Sequence, residues 1–258
     1  MKKILFSVYA VFAFFGCSGL IAGDSGDLPC LGCDGYAYSS SSSRPSSSSV
    51  VPSSSSVSVS FGTVTYNGQT YKTVTIGSQT WMAENLNYNA SDSRCYGDDS
   101  GGDSQNMCGT YGRLYDWATA MGLPSSCNGS DCSSQITAKH RGICPQGWHV
   151  PTNAEWSALE ENAVGARHLK AQGGWFNCGP AGSGKSYRCD DTFGFAALSG
   201  GFGYGGDFGL AGNYGYWWSA TQIDASGADY RHMSYTGENV GWDYNGKDYL
   251  FSVRCLQN

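Results

Sequence analysis

Alternating apolar and polar positions mark the first legible elements of the chain. Residues 63–66 and 70–76 alternate on either side of Asn67-Gly68, a pair that accepts positive φ at both central turn positions. They predict a β-hairpin with a type I′ turn. Gly77-Ser78 turns the chain again into a short strand at 79–82. The period then changes. Leu114, Trp117, Ala118 and Met121 recur at helical spacing, with Gly122 and Pro124 as stop signals. A second helix opens at Pro151-Thr152, where Thr152 and Glu155 match a capping box, and its buried stripe is Trp156, Leu159 and Ala163. Beyond Ala171 the helical period is lost. Residues 193–199, 216–222, 230–235 and 250–256 read as short strands between glycine-rich loops. Trp217 and Trp218 are neighbours on one strand, so they face opposite sides, one toward the core and the other toward the loop surface. Trp81, Trp117, Trp148 and Trp156 fall in the helix and strand patterns and read as core. The expected class is α+β, loop-rich and stapled by disulfides.

Composition narrows the compartment. Of 258 residues, 40% are hydrophobic and 14% aromatic, enough to bury a core, while only 14% are charged. Fifteen basic and 21 acidic residues leave a net charge of −6 with no basic patch, which argues against nucleic acid as a partner. No apolar run reaches the roughly 18 residues of a membrane-spanning helix. Lys2 and Lys3 precede an apolar run at 4–16, the size of a secretory h-region. Phe14-Phe15-Gly16-Cys17 resembles a bacterial lipobox, making Cys17 a lipid anchor; ordinary cleavage near Ala22 or Gly23 is the alternative. Between Ser39 and Ser60, 15 of 22 residues are serine, which predicts an extended linker that buries nothing. The expected organisation is therefore a signal peptide at 1–16, anchor and leader at 17–38, linker at 39–60 and one domain at 61–258. Its location would be the outer membrane or cell surface as a lipoprotein, or otherwise the secreted fraction.

With Cys17 set aside, ten cysteines remain, an even number that suits a disulfide framework in an oxidising compartment. Connectivity is not readable from spacing alone. Proximity favours Cys95 with Cys108, Cys127 with Cys132, Cys178 with Cys189, and Cys30 with Cys33 as a small leader loop. That leaves Cys144 with Cys255.

Residues 200–216 hold 8 glycines and 5 aromatics among 17 positions. Glycine keeps such a backbone open, so Tyr204, Tyr214 and Tyr216 present faces on which sugar rings stack, with Asp207 to bond hydroxyls. Packing of the same rings onto the core is the competing reading. Trp175, Trp242 and Asp243 are further candidate platform residues. Asp98, Asp99 and Asp103 cluster in one loop, an oxygen-rich arrangement that suits Ca²⁺ although its spacing matches no loop signature. Residues 179–186 match the phosphate-loop pattern GxxxxGK[ST], but no buried strand precedes them and a cysteine flanks each end, so no nucleotide is expected. His140, His149, His168 and His232 are scattered, and no catalytic constellation is legible. His149, set before a helix cap, reads as a packed residue.

Five runs in order carry a resemblance: TIGSQTWMAENLN at 75–87, GRLYDW at 112–117, CPQGWHVPTNAEW at 144–156, YWWSAT at 216–221 and FSVRC at 251–255. Together they resemble the Fibrobacter succinogenes major paralogous domain over nearly all of 61–258. More distantly, the helix opening at 150–156 and the terminal Val253-Arg254-Cys255 are similar to the sulfatase-modifying-factor branch of the C-type lectin-like fold. That resemblance implies two helices flanking small antiparallel sheets, long glycine-rich loops, and chain ends brought together, an arrangement a Cys144–Cys255 bond suits. The export signal, the spacer, the aromatic-rich loops and this resemblance together leave three functions to weigh. The first is a non-catalytic surface module for extracellular glycan or plant-cell-wall polysaccharide, membrane-bound through its lipid. A structural or protein-binding envelope component is the second. A copper-dependent oxidase is the third, for which Cys255 lacks a nearby partner in sequence.

Overall fold

The computed structural model describes residues 57–98 and 107–258, all within the unit Ser53–Asn258. The first strands are β1 (Val59–Tyr66), β2 (Gln69–Ile76), β3 (Gln79–Met82) and β4 (Arg94–Cys95). Helix α1 (Cys108–Tyr111), strand β5 (Arg113–Tyr115), helix α2 (Trp117–Ala120), strand β6 (Trp148–His149) and helix α3 (Asn153–Ala163) follow. Short strands β7 (Cys178–Gly179), β8 (Tyr187–Arg188), β9 (Phe202–Tyr204) and β10 (Asp207–Gly209) lead into the long pair β11 (Tyr214–Gln222) and β12 (Gly227–Ser234). The chain closes with β13 (Gly241–Gly246), β14 (Phe251–Ser252) and β15 (Leu256–Gln257).

Two sheets organise these elements. One has the order β1-β2-β3-β15-β6; the other has the order β13-β12-β11-β14-β5-β4. The first begins with the expected hairpin, where Tyr66 pairs with Gln69 across Asn67 at φ 48° and Gly68 at φ 78°. β1 starts at Val59, two residues inside the stretch read as linker. The capping box also forms: the Thr152 hydroxyl accepts from the Glu155 N–H while the Glu155 carboxylate accepts from the Thr152 N–H, and Trp156, Leu159 and Ala163 are buried.

The two-helix, C-type lectin-like expectation is overturned. Among the described residues only α3 is a substantial helix, with 11 residues; α1 and α2 have 4 each, and strands dominate. The helical period at Leu114 is overridden because residues 113–115 are claimed by a ladder: Leu114 lies opposite both Ser252 of β14 and Arg94 of β4. Helix begins only after Asp116, whose side chain accepts from the Thr119 N–H as an N-cap. Two other strand readings change as well. Residues 193–199 form a loop rather than a strand, with positive φ at Gly194 and Ala196 and a single isolated bridge, Lys170 to Ala197. Residues 250–256 divide into β14 and β15, which serve different sheets.

Apolar cores lie on both faces of the larger sheet, which is why Trp217 and Trp218 are both fully buried, and neither lines a loop surface. Trp218, Tyr230 and Phe251 join Tyr115, Trp117 and Val150 on one side. Trp217 and Met233 join Trp81, Trp156, Phe195 and Leu256 on the other. Trp81, Trp117, Trp148 and Trp156 are all buried.

A polar hub runs through this interior. The Asn85 carbonyl accepts from Trp217 Nε1 at 2.9 Å and from Arg254 Nη2 at 2.7 Å, while its amide donates to the Tyr111 carbonyl at 2.9 Å. Arg254, wholly buried, also donates to the Phe195 and Ala196 carbonyls and lies over the Phe195 ring at 4.4 Å. Buried charge of this kind persists only when its donors are satisfied. Four disulfides brace the frame: Cys95–Cys108, Cys127–Cys132, Cys144–Cys255 and Cys178–Cys189. Cys17, Cys30 and Cys33 lie outside the described residues. No helix among the described residues is long and apolar enough to cross a membrane.

Candidate functional site

Directly paired residues of an antiparallel ladder point to the same side of the sheet. Tyr216 is opposite His232, which is opposite Gly241; Trp218 is opposite Tyr230, which is opposite Asp243. Tyr214, Tyr216, Tyr230, His232 and Asp243 therefore share one face. Phe251 of β14 joins them, with its ring 5.1 Å from Tyr216 and 4.9 Å from Tyr230.

The β9–β10 hairpin extends this face. Gly205 and Gly206 turn it at φ 61° and 95°, and it is fastened by paired hydrogen bonds between Gly203 and Leu250. Phe202 meets the edge of Tyr216 at 5.9 Å, and Tyr204 stacks on Tyr249 at 4.3 Å with 19° between planes. Tyr204 remains 46% exposed and Asp207 is exposed beside it, so the hairpin presents a ring face and a carboxylate to solvent. Tyr214 lies nearly parallel to Tyr216 at 5.7 Å and is half-buried.

His232 sits within this cluster, 5.8 Å from Tyr230 and 6.2 Å from Tyr216, and its Nδ1 is buried without a hydrogen-bond partner. A side chain on Gly241 would overlap the imidazole, so glycine is what admits the ring. Burial lowers the His232 pKa below 6.5; Asp243 opposes that shift and Arg231 adds to it. Burial likewise raises the Tyr216 and Tyr230 hydroxyl pKa values, so both stay protonated as neutral donors.

The structure sorts the expected residues. Tyr214 and Asp243 share one face with Tyr216, and Tyr204 and Asp207 stand at its hairpin end. Tyr216, expected to offer a ring face, is wedged against Tyr214 and Phe251 and spaces the ladder instead. Trp175 is no platform: it is 5% exposed and donates its Nε1–H to the Ala197 carbonyl. Trp242 is exposed, but it lies opposite Arg231 and points to the other side of the sheet with Tyr244. Asp98 lines a groove with Asp92, Arg94, Asp207 and Asp248, whereas Asp99 and Asp103 lie outside the described residues. Among the described residues no group of three or more His, Cys, Asp or Glu side chains is placed to hold a metal ion.

Sequence reasoning missed Tyr230, His232 and Tyr249 as members of the face. For the first two, alternation within the 230–235 strand was an available signal, since positions two apart share a side. Tyr249 had none, because the chain enters the face there from a loop.

The remaining motifs resolve differently. His149 is fully buried, with Nδ1 2.7 Å from the Asn258 side chain and Nε2 2.9 Å from the Glu155 carboxylate. The Glu155 carboxyl feels burial, which raises its pKa, but contacts from His149 and Thr152 outweigh this and leave it lowered. The phosphate-loop match spans an exposed turn between β7 and β8, which pair in parallel beneath the Cys178–Cys189 bond, and no helix follows it.

The Fibrobacter succinogenes major domain model matches residues 74–257. The chain belongs to that family. No curated protein matches it, and no solved structure does either. The family match spans every residue of the aromatic face and the disulfides Cys95–Cys108, Cys127–Cys132, Cys144–Cys255 and Cys178–Cys189, and leaves β1 outside.

Proposed function

We propose that this member of the Fibrobacter succinogenes major domain family is an exported, surface-anchored, non-catalytic binding module for extracellular glycan, in particular plant-cell-wall polysaccharide. The observation that carries this reading is the aromatic face, where exposed Tyr204 and Asp207 stand on the β9–β10 hairpin and half-buried Tyr214 and exposed Asp243 share the ladder side, on a frame braced by disulfides. Pyranose C–H faces pack on rings, and carboxylates accept from sugar hydroxyls. A face held rigid before contact loses little entropy on binding. The lipobox-like Cys17 and the serine linker suit display at a distance from a membrane.

Retention of the mature chain on insoluble cellulose, xylan and other wall polysaccharides tests the proposal. Tyr204→Ala and Tyr214→Ala are expected to weaken retention by about tenfold each, a change of about 1.4 kcal/mol. Failure to bind any polysaccharide would overturn it.

A second reading rests on a separate observation. Trp242 and Tyr244 are 63% and 60% exposed on β13, the outermost strand of its sheet, which suits a protein partner in the envelope. Crosslinking on intact cells distinguishes the two, because this reading requires one dominant protein adduct that Trp242→Ala abolishes.

A further inference from the structure

A cleft of about 370 Å³ opens between β1, β2 and the 191–198 loop, lined by Phe61, Lys72, Glu84, Asp191, Gly194 and Leu198. Its volume is within the range of small-molecule sites. Its walls are built rather than incidental. Phe61 is 73% exposed on β1, and its ring lies so close to Gly194, at φ 70°, that a β-carbon there would come within 2.6 Å of it. The loop opposite carries two non-glycine residues in left-handed conformation, Asp191 at φ 46° and Ala196 at φ 52°. Such strain persists only where the surroundings hold it. Here the Asp191 carboxylate accepts from the Ala196 N–H at 2.8 Å, and from beneath, buried Arg254 donates to the carbonyls of Phe195 and Ala196. On the facing wall, Glu84 Oε2 accepts from the Lys72 N–H at 2.7 Å, which fixes that carboxylate in place.

The mixture of charges selects the ligand class. An anion entering the cleft meets the carboxylates of Glu84 and Asp191, and an organic cation meets the Lys72 ammonium. An uncharged ring bearing several hydroxyls uses all three groups, donating to the carboxylates and accepting from the ammonium, while its C–H face rests on Phe61 and Leu198. We propose that the Phe61–Glu84–Asp191 cleft is a binding site for a single neutral pyranose unit. The site is separate from the aromatic face of β11–β13 and stands even if that face binds no polysaccharide.

The test is a saturation-transfer NMR titration of the mature chain with methyl β-glucoside, methyl β-xyloside and N-acetylglucosamine. Tetramethylammonium chloride and sodium acetate serve as charged controls. Saturable binding of at least one sugar, weakened about tenfold by both Phe61→Ala and Asp191→Asn, supports the site. Asn at 191 keeps an acceptor for the Ala196 N–H, and Glu84→Gln provides a second polar variant should the loop collapse. The proposal is overturned if no sugar saturates, if a charged control binds as tightly as the sugars, or if sugar binding survives Phe61→Ala and is lost in Tyr204→Ala. That last pattern would place the sugar on the aromatic face instead.

Discussion

Cys144 and Cys255 are both fully buried, and their bond joins positions 111 residues apart. It ties the last strand to the segment before β6, and Leu256 and Gln257 then pair with His149 and Trp148. On the chain-entropy model, closing a loop of that length removes about 16 cal/mol/K from the unfolded chain, or about 4.8 kcal/mol at 25 °C. The Cys127–Cys132 bond, with a separation of 5, removes only about 2 kcal/mol by the same expression. The paired replacement Cys144→Ala with Cys255→Ala should therefore cost about 5 kcal/mol, plus a smaller packing loss, and lower the melting temperature by roughly 10–20 °C. Cys127→Ala with Cys132→Ala should lower it by roughly 4–8 °C. Urea unfolding without reductant, followed by tryptophan fluorescence, measures both losses. The dependence on urea should also steepen in the long-loop variant, because its unfolded chain expands further. Equal losses in the two variants, or a larger loss from the short loop, would refute the argument from loop length.

Three other outcomes follow from the interior. Lys247 is fully buried and donates to the carbonyls of Cys127, Ser130 and Ala225 and to the Gln222 side chain at 2.9–3.2 Å; Lys247→Met should cost about 3 kcal/mol or more in urea unfolding by leaving those acceptors unpaired. Gly142 has φ 55°, and a β-carbon there would overlap the Ala120 carbonyl, so Gly142→Ala should cost about 2–4 kcal/mol; at Gly68, φ 78° but with open space around it, the same change should cost about 1 kcal/mol. His232 should titrate below 6.5 by NMR. Because the unfolded chain then binds the proton more readily, stability should fall as pH drops below about 6.5, and His232→Gln should flatten that slope in acid unfolding curves.

Local chemistry was legible where neighbours in sequence decide the structure. Asn67-Gly68 accepts left-handed φ without help from the rest of the chain, and Thr152 and Glu155 satisfy each other's backbone across a single turn. Three of the disulfides join cysteines within 13 positions of each other, and the fourth was what remained. The period at Leu114 misled, because a helical pattern of apolar residues is also compatible with a central strand once β4 and β14 supply ladder partners. The paired Trp217 and Trp218 misled for a related reason: a strand with core on both faces buries both neighbours.

Taken alone, the amino-acid order determined the hairpin at Asn67-Gly68, the capped helix α3 and the disulfides between cysteines close in sequence. All of these rest on composition or on interactions a few residues long. Tertiary structure alone decided that the sheets dominate, that Trp175 is interior, and that Tyr249, Tyr230 and His232 stand beside Tyr204 and Tyr214. It also brought Phe61 opposite Asp191. These placements depend on pairings between strands far apart in the chain, whose partners and register no local pattern encodes.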